Sequence, residues 1–225
     1  MNSQSETQVS TDLAALREKV HEYLCSRVVD QIFAWGMVAF GTYLLALSIH
    51  EKRGFELLMV LSQVVIHNLF LVVRKKPERI TLNPLFWIIA FAGAHWHFLY
   101  GIFRAVSGIP VAPIWLTHFL SVAGGLLFIW ARVSLGRNFG MVPAQRDIVT
   151  GGAYRWVRHP IYTSSFLLGL SYHLSNCSIP ILLIWSMGLL VMVTKALMEE
   201  HFLAGVPEYQ NYRSKVRYRF IPGLA

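Results

Sequence analysis

Long apolar blocks, separated by short polar and basic loops, dominate the chain from residue 32 onward. Six such segments can be drawn: Ile32–Ile49, Phe55–Val73, Pro84–Phe103, Ile114–Ala131, Pro160–Leu174 and Ile179–Leu197. All but Pro160–Leu174 approach or reach the roughly 20 residues that a helix needs to cross the hydrocarbon core of a bilayer. Backbone groups in lipid must be paired within the segment, which favours helices. The pattern predicts an all-α integral membrane protein with about six transmembrane helices.

The fifth and sixth segments predict a tight helical hairpin. Only Ser175–Ser178 separates them, and the fifth segment is the shortest. Because the connection is so short, the start of the fifth segment and the end of the sixth should be neighbours at one membrane face.

Both ends of the chain are polar and predict helices outside the bilayer. Apolar residues recur at helical spacing between Asp12 and Leu24, which indicates an amphipathic helix lying on the membrane surface or packed on the body of the protein. The first thirty residues lack an apolar signal core, so no cleaved secretory peptide is expected. The basic, aromatic tail from Pro207 to Pro222 predicts a short cytoplasmic helix. We divide the chain into a cytoplasmic segment (1–30), three spans (31–113) and a functional core (114–225).

The distribution of Lys and Arg predicts the orientation. If the N-terminus is cytoplasmic and all six segments cross, only three of the 20 Lys and Arg residues face the opposite side: Lys52, Arg53 and Arg104. Such an asymmetry is typical of the positive-inside rule, so both termini should be cytoplasmic. We expect a multi-pass protein of the plasma or inner membrane, or of the endoplasmic reticulum.

The amino-acid composition limits the classes of binding partner that we expect. Hydrophobic residues make up 55% of the chain and charged residues 14%, against about a quarter charged in soluble domains. The net charge of +8 lies in loops between apolar segments, so membrane lipids are the expected partner and nucleic acid is not. Neither the two cysteines, Cys25 and Cys177, nor the histidines have metal-ligand spacing, and we predict no metal site. The oligomeric state stays open.

Candidate chemistry is concentrated where the predicted hairpin meets the cytoplasm. Pro160 suits the first turn of a helix, which places Arg158 and His159 at its mouth, just after a glycine turn at 151–152. Adjacent carboxylates, Glu199 and Glu200, lie at the other end of the hairpin, and acids beside apolar spans are costly unless paired or wetted. The hairpin should bring these groups together at one water-facing pocket.

The motifs resemble the isoprenylcysteine carboxyl methyltransferase family, within the wider group of membrane methyltransferases that includes phospholipid methyltransferases. The residues that carry the resemblance, over about 114–222, are Leu135-Gly136, Val149-Thr-x-Gly-x-Tyr154-Arg155, Arg158-His159-Pro160-x-Tyr162, Glu199-Glu200-x-x-Leu203, Tyr209-x-x-Tyr212 and Ile221-Pro222. The resemblance implies S-adenosylmethionine as cofactor. It also implies a cofactor pocket lined by Ile148, Val149, Tyr154, His159, Pro160 and Tyr162, with one of Glu199 and Glu200 pairing with the cofactor's amino group.

The resemblance leaves the methyl acceptor open. The arginine that binds a substrate carboxylate in the prenylcysteine enzymes, just before the glutamates, is not matched, and Lys195 or Ala196 lies there. A carboxylate acceptor needs a cation such as Arg158 or Lys195 to position it, whereas an amine needs a base such as Glu199 or Glu200. We therefore take Arg158, Glu199 and Glu200 as candidate catalytic residues. The expected reaction is methylation of a lipophilic substrate, either an isoprenylcysteine-type carboxylate or a lipid amine, at the cytoplasmic face.

Two other functions compete with this interpretation. Membrane sterol reductases that use NADPH resemble the chain in the C-terminal helices and the Tyr-rich tail, but a dinucleotide phosphate prefers cations where Glu199 and Glu200 lie. A scaffold or transporter leaves the clustered motifs unexplained.

Overall fold

The computed structural model describes residues 3–24, 26–50, 62–63, 65–66, 69–96 and 108–224. The protein is mostly helical, with 71% of its residues in helices. The helices with described bounds are α1 (Ser3–Leu24), α2 (Arg27–His50), α3 (Pro84–His95), α4 (Ile114–Leu135), α5 (Pro160–Ser175), α6 (Ile179–Leu203) and α7 (Pro207–Lys215). Two short strands, β1 (Arg79–Ile80) and β2 (Ala144–Gln145), pair antiparallel with Arg79 opposite Gln145. Single 3-10 turns cover Gly136–Asn138 and Gly152–Arg155.

Two of the described helices are long and apolar enough to cross a membrane. They cover Ile114–Asn138 and Ile179–Leu203, each 25 residues long including the turn that follows α4. Helix α2 contains the first predicted span, while the predicted spans Phe55–Val73 and Pro84–Phe103 extend outside the described residues. Helix α5 has 16 residues, fewer than a helix needs to cross alone. A membrane protein is thus supported, and six spans with cytoplasmic termini stay a prediction.

Small residues set the distance between α4 and α5. A Cβ atom added at Gly124 would lie 3.0 Å from Leu168 Cγ, so the glycine lets the two helices approach closely. One turn earlier on α4, the hydroxyls of Ser121 and Ser171 are 2.8 Å apart, and Ser171 also donates to the Thr117 carbonyl at 2.6 Å. These contacts are buried, so they hold the C-terminal half of α5 in register on a long apolar helix.

Helix α6 packs against α3 through another glycine contact. The indole of Trp96 lies against Gly188, where an added Cβ would be 2.4 Å from the ring. Trp96 also forms a buried cluster with Tyr172, Ile184 and Met192, which joins α3, α5 and α6. One face of α6 is consequently buried near the middle of the helix, and its C-terminal turns extend to the site described below.

The predicted hairpin is confirmed. Helix α5 ends at Ser175 and α6 begins at Ile179. Backbone hydrogen bonds in both directions between Ile109 and Cys177, at 3.0 and 2.9 Å, attach the connection to the segment that precedes α4.

The two ends of the chain differ from their predictions. Helix α1 forms as predicted. Its apolar side chains Leu13, Leu16 and Val20 are exposed, so the alternative prediction that this face packs on the body is wrong. The tail helix ends at Lys215 instead of continuing to Pro222. Residues 216–222, which we call the C-terminal strap, are not helical and lie beside the start of α5, because their carbonyl groups accept hydrogen bonds there.

Candidate functional site

The site forms where the loop before α5, the end of α6 and α7 meet. Gly152 has a φ of 58°, and an added Cβ would lie 2.1 Å from Ser134 Oγ, so only glycine fits this turn. The turn places Tyr154 in a buried position, where its carbonyl accepts a hydrogen bond from the Tyr212 hydroxyl at 2.7 Å. Pro160 begins α5, as the sequence predicts.

A cavity of about 170 Å³ lies at this junction. Eight of the nine residues that the sequence predicts for the site line it: Ile148, Val149, Tyr154, Arg158, His159, Tyr162, Glu199 and Glu200. Pro160 is not among the residues that line the cavity, and its place in a cofactor pocket stays a prediction. Its ring is fully buried at the first helical position, so it orients the neighbouring side chains without facing the cavity.

Glu199 lines the cavity, and its two carboxylate oxygens differ in their contacts. Its Oε1 accepts a hydrogen bond from the Tyr162 hydroxyl at 2.7 Å and lies 3.6 Å from Lys195 Nζ. Its Oε2 is 3.8 Å from His159 Nδ1, and among the described residues no donor lies within hydrogen-bonding distance of this oxygen. The side chain is 23% exposed. Glu199 is therefore available to a ligand.

Glu200 has both oxygens occupied. Arg158 Nε donates to Oε1 at 2.9 Å, and Arg219 Nε donates to Oε2 at 3.2 Å. The His159 ring contributes Nε2 at 3.1 Å from Oε1. With 5% of its side chain exposed, Glu200 joins the start of α5 to the end of α6 and to the C-terminal strap.

Comparison with known families agrees with this arrangement. Residues 113–209 match the phospholipid methyltransferase family. Over these residues the chain is similar to a phospholipid methyltransferase domain. The resemblance noted in the sequence is thereby confirmed over α4, α5, α6 and the first turn of α7. A search of curated proteins found no match to the chain.

The C-terminal strap lies outside the matched residues and contacts the start of α5. Arg158 Nη1 donates to the carbonyls of Val216 and Arg217 at 2.9 and 2.8 Å. The backbone N–H groups of Arg158 and His159 donate to the carbonyls of Tyr218 and Arg219 at 2.9 and 2.8 Å. The strap therefore satisfies N–H groups that the mouth of α5 would otherwise leave without partners. The sequence does not predict this role, since backbone carbonyl groups leave no signal in a sequence.

Lys195, which the sequence offered only as a possible cation for a carboxylate acceptor, also lines the cavity. It lies one turn before Glu199 on α6, and only 3% of its side chain is exposed. Its Nζ is 5.3 Å from the centre of the Tyr162 ring, close enough for a cation–π contact. The spacing of four residues from an acid on an apolar helix is the signal that identifies it.

Phenols complete the wall of the cavity. Tyr209 and Tyr212 of α7 are buried, and both line the cavity beside Glu200. Burial raises the pKa of Tyr209 and of Tyr212 above the usual value for a phenol, so both stay neutral. Arg146 lines the opposite wall, and its Nε donates to the Lys75 carbonyl at 2.9 Å. The cavity thus offers a carboxylate oxygen, aromatic faces and aliphatic side chains within one small volume.

Proposed function

We propose that this protein is an S-adenosylmethionine-dependent methyltransferase that modifies a lipophilic acceptor at the cytoplasmic face of its membrane. The family match and the two apolar helices support a membrane methyltransferase. The cofactor and the acceptor are the parts that we propose.

The observation that carries the proposal is the cavity-facing oxygen of Glu199. The cofactor has an ammonium group, a sulfonium centre and an adenine ring. The open Oε2 of Glu199 suits the ammonium, and the aromatic faces of Tyr162 and Tyr209 suit the positive charge. The aliphatic side chains of Ile148 and Leu203 suit the adenine ring. The residues therefore fit the cofactor.

The bound cofactor supplies an activated methyl group, which is transferred by in-line displacement. The chain's own contribution is then to align the two reactants, for which effective molarities of about 10⁵–10⁸ M are known in favourable cases. Glu200 and Arg158, predicted as catalytic residues, are better described as positioning residues. The two oxygens of Glu200 and Nη1 of Arg158 are engaged in protein contacts.

We further propose that Lys195 orients the acceptor, and that the acceptor is a carboxylate. Lys195 is a buried cation at the cavity, and its partner Glu199 would be shared with the cofactor ammonium. A carboxylate acceptor would restore the charge balance around Lys195. An amine acceptor would need a base, and neither glutamate suits that role, since Glu200 is bonded to two arginines and Glu199 lies beside Lys195.

The test is ligand-dependent thermal stability of the purified protein in detergent or nanodiscs. We expect S-adenosylhomocysteine to raise the melting temperature, since a ligand that binds only the folded state stabilises it. We expect Glu199→Gln to abolish most of this shift, and Glu208→Gln, an exposed acid on α7, to leave it unchanged. Stabilisation by NADPH and not by S-adenosylhomocysteine would overturn the proposal in favour of the reductase.

The acceptor is tested separately by the release of S-adenosylhomocysteine. The protein is offered a prenylcysteine, with phosphatidylethanolamine as the amine alternative. Turnover with the prenylcysteine, and none with phosphatidylethanolamine, supports the role of Lys195. Turnover with phosphatidylethanolamine, and none with the prenylcysteine, contradicts the proposed acceptor but still supports the proposed cofactor.

A further inference from the structure

Helix α1 carries an apolar stripe that the described body of the protein does not cover. The stripe consists of Val9, Leu13, Leu16, Val20 and Tyr23, whose side chains are between 43% and 66% exposed. The steps between them are four, three, four and three residues, which is the spacing of the seam positions of a coiled coil. A stripe this regular requires a partner.

The contact of α1 with the body lies to one side of this stripe. His21 Nε2 accepts a hydrogen bond from the backbone N–H of Ile80 in β1 at 3.3 Å. His21 is a polar residue about 120° around the helix from the centre of the stripe, at about 100° per residue. The attachment to the body therefore leaves the stripe pointing away from it.

The charge of α1 favours a protein partner over a lipid surface. The helix has four acids (Glu6, Asp12, Glu18 and Glu22) and two bases (Arg17 and Lys19), so its net charge is −2. Helices that lie on anionic membranes are typically rich in Lys and Arg on their polar face. Electrostatic repulsion would oppose such binding here.

The residues that flank the stripe match a second copy of the same helix. Asp12 and Arg17 are exposed on opposite edges of the stripe and are five residues apart. In a parallel two-stranded coiled coil, a residue at the g position of one helix contacts the residue at the e position five residues later on the other helix. Asp12 and Arg17 occupy such g and e positions. Pairing two copies thus places Asp12 of each helix against Arg17 of the other.

We propose that α1 dimerises the protein by forming a short parallel coiled coil with α1 of a second copy. The stripe covers little more than two heptads, which is marginal for free peptides in water. Helix α2, the first predicted span, begins at Arg27, so both copies of α1 would be held at the membrane by the same end. This raises their effective concentration and fixes the parallel orientation. The proposal is independent of the cofactor and the acceptor.

The first experiment measures energy transfer between two differently labelled populations of the full chain in phosphatidylcholine vesicles. We expect transfer that persists as lipid dilutes the protein, and at least about tenfold weaker association for Leu16→Glu, which places a charge in the seam. The matched control is Ala14→Glu, since Ala14 is exposed on the other side of the same helix. Equal association of the two variants, or no association of the unaltered chain, would overturn the proposal.

The second experiment reverses charges. Asp12→Arg and Arg17→Asp alone should each weaken association about tenfold, because two exposed ion pairs become two like-charge contacts. The two changes together should restore it. A lipid-bound helix behaves differently, since Asp12→Arg would strengthen attachment to vesicles that contain phosphatidylserine. Failure of the double variant to recover in phosphatidylcholine would exclude the coiled coil, and unchanged circular dichroism would show that the helices are intact.

Discussion

The two ends of the α5–α6 hairpin are both polar, yet they differ in the kind of polar contact. At the end near the connection, Asn176 Oδ1 accepts from the Gly108 N–H at 2.6 Å, and the His173 ring stacks on Trp185 at 5.7 Å. At the other end, Glu199 and Glu200 meet Arg158 and Lys195 around a cavity. Neutral contacts close the first end, whereas charged contacts leave a carboxylate oxygen open at the second. The comparison indicates that polar residues by themselves do not identify a candidate ligand site. A carboxylate oxygen without a hydrogen-bond donor is the more specific indication.

The largest expected effect is on stability, at the charged end. Glu200→Ala leaves the buried guanidinium of Arg158 without its carboxylate and should lower the free energy of unfolding by about 3 kcal/mol. Thermal or denaturant unfolding in detergent checks this value. A change below about 0.5 kcal/mol, as for ordinary surface substitutions, would mean that Glu200 does not hold the site together.

The next effect concerns cofactor binding. Glu199→Gln removes the charge that we assign to the cofactor ammonium while keeping the shape of the side chain. Hydrogen bonds to charged groups are worth about 1.5–3 kcal/mol, so affinity for S-adenosylhomocysteine should fall about tenfold to hundredfold. Titration calorimetry measures it, with Glu208→Gln as the control. A variant that binds as tightly as the unaltered protein would remove Glu199 from the site.

Lys195→Met should separate the acceptor from the cofactor. Methionine keeps the apolar stem on α6 and removes the cation, so a carboxylate acceptor loses its partner. We expect kcat/KM for the acceptor to fall about tenfold or more, with cofactor affinity changed less than threefold. Steady-state kinetics at varied acceptor concentration measure kcat/KM, and a separate binding titration measures the cofactor affinity. An equal loss of both would assign Lys195 to the cofactor side of the cavity.

The smallest effect is expected at the neutral end. Asn176→Ala removes the acceptor for the Gly108 N–H and should cost about 1 kcal/mol of stability. Cofactor affinity should stay within twofold of the unaltered protein, because the neutral end is separated from the cavity by the length of α5. If binding of S-adenosylhomocysteine weakened as much as in Glu199→Gln, the two ends of the hairpin would be coupled.

Much of the site followed from local signals. The four residues between the apolar segments predicted the hairpin, and Pro160 predicted where α5 begins. The short connection and the position of Pro160 together predicted that His159 and Tyr162 lie close to the two glutamates. This prediction did not depend on how the helices pack. The glycine turn before Tyr154 was similarly apparent from the sequence.

Other features required the folded chain. Glu199 and Glu200 were predicted to have the same kind of role, since they are adjacent acids on one helix, and the strap was predicted to be helical. In the fold, successive helical residues point about 100° apart, so Glu200 meets two arginines, whereas Glu199 meets Tyr162 and Lys195. The strap is held extended by Arg158, a residue about sixty positions earlier in the chain.

The amino-acid sequence by itself determined the helical class, the hairpin and the chemical types that meet at its charged end. These depend on apolar run length, proline geometry and short loops, all of which act over neighbouring residues. Tertiary structure alone decided which carboxylate has both oxygens bonded to arginines, that Pro160 is not among the residues lining the cavity, and that the described residues leave the seam of α1 uncovered. Each of these depends on side chains from distant segments competing for the same partner.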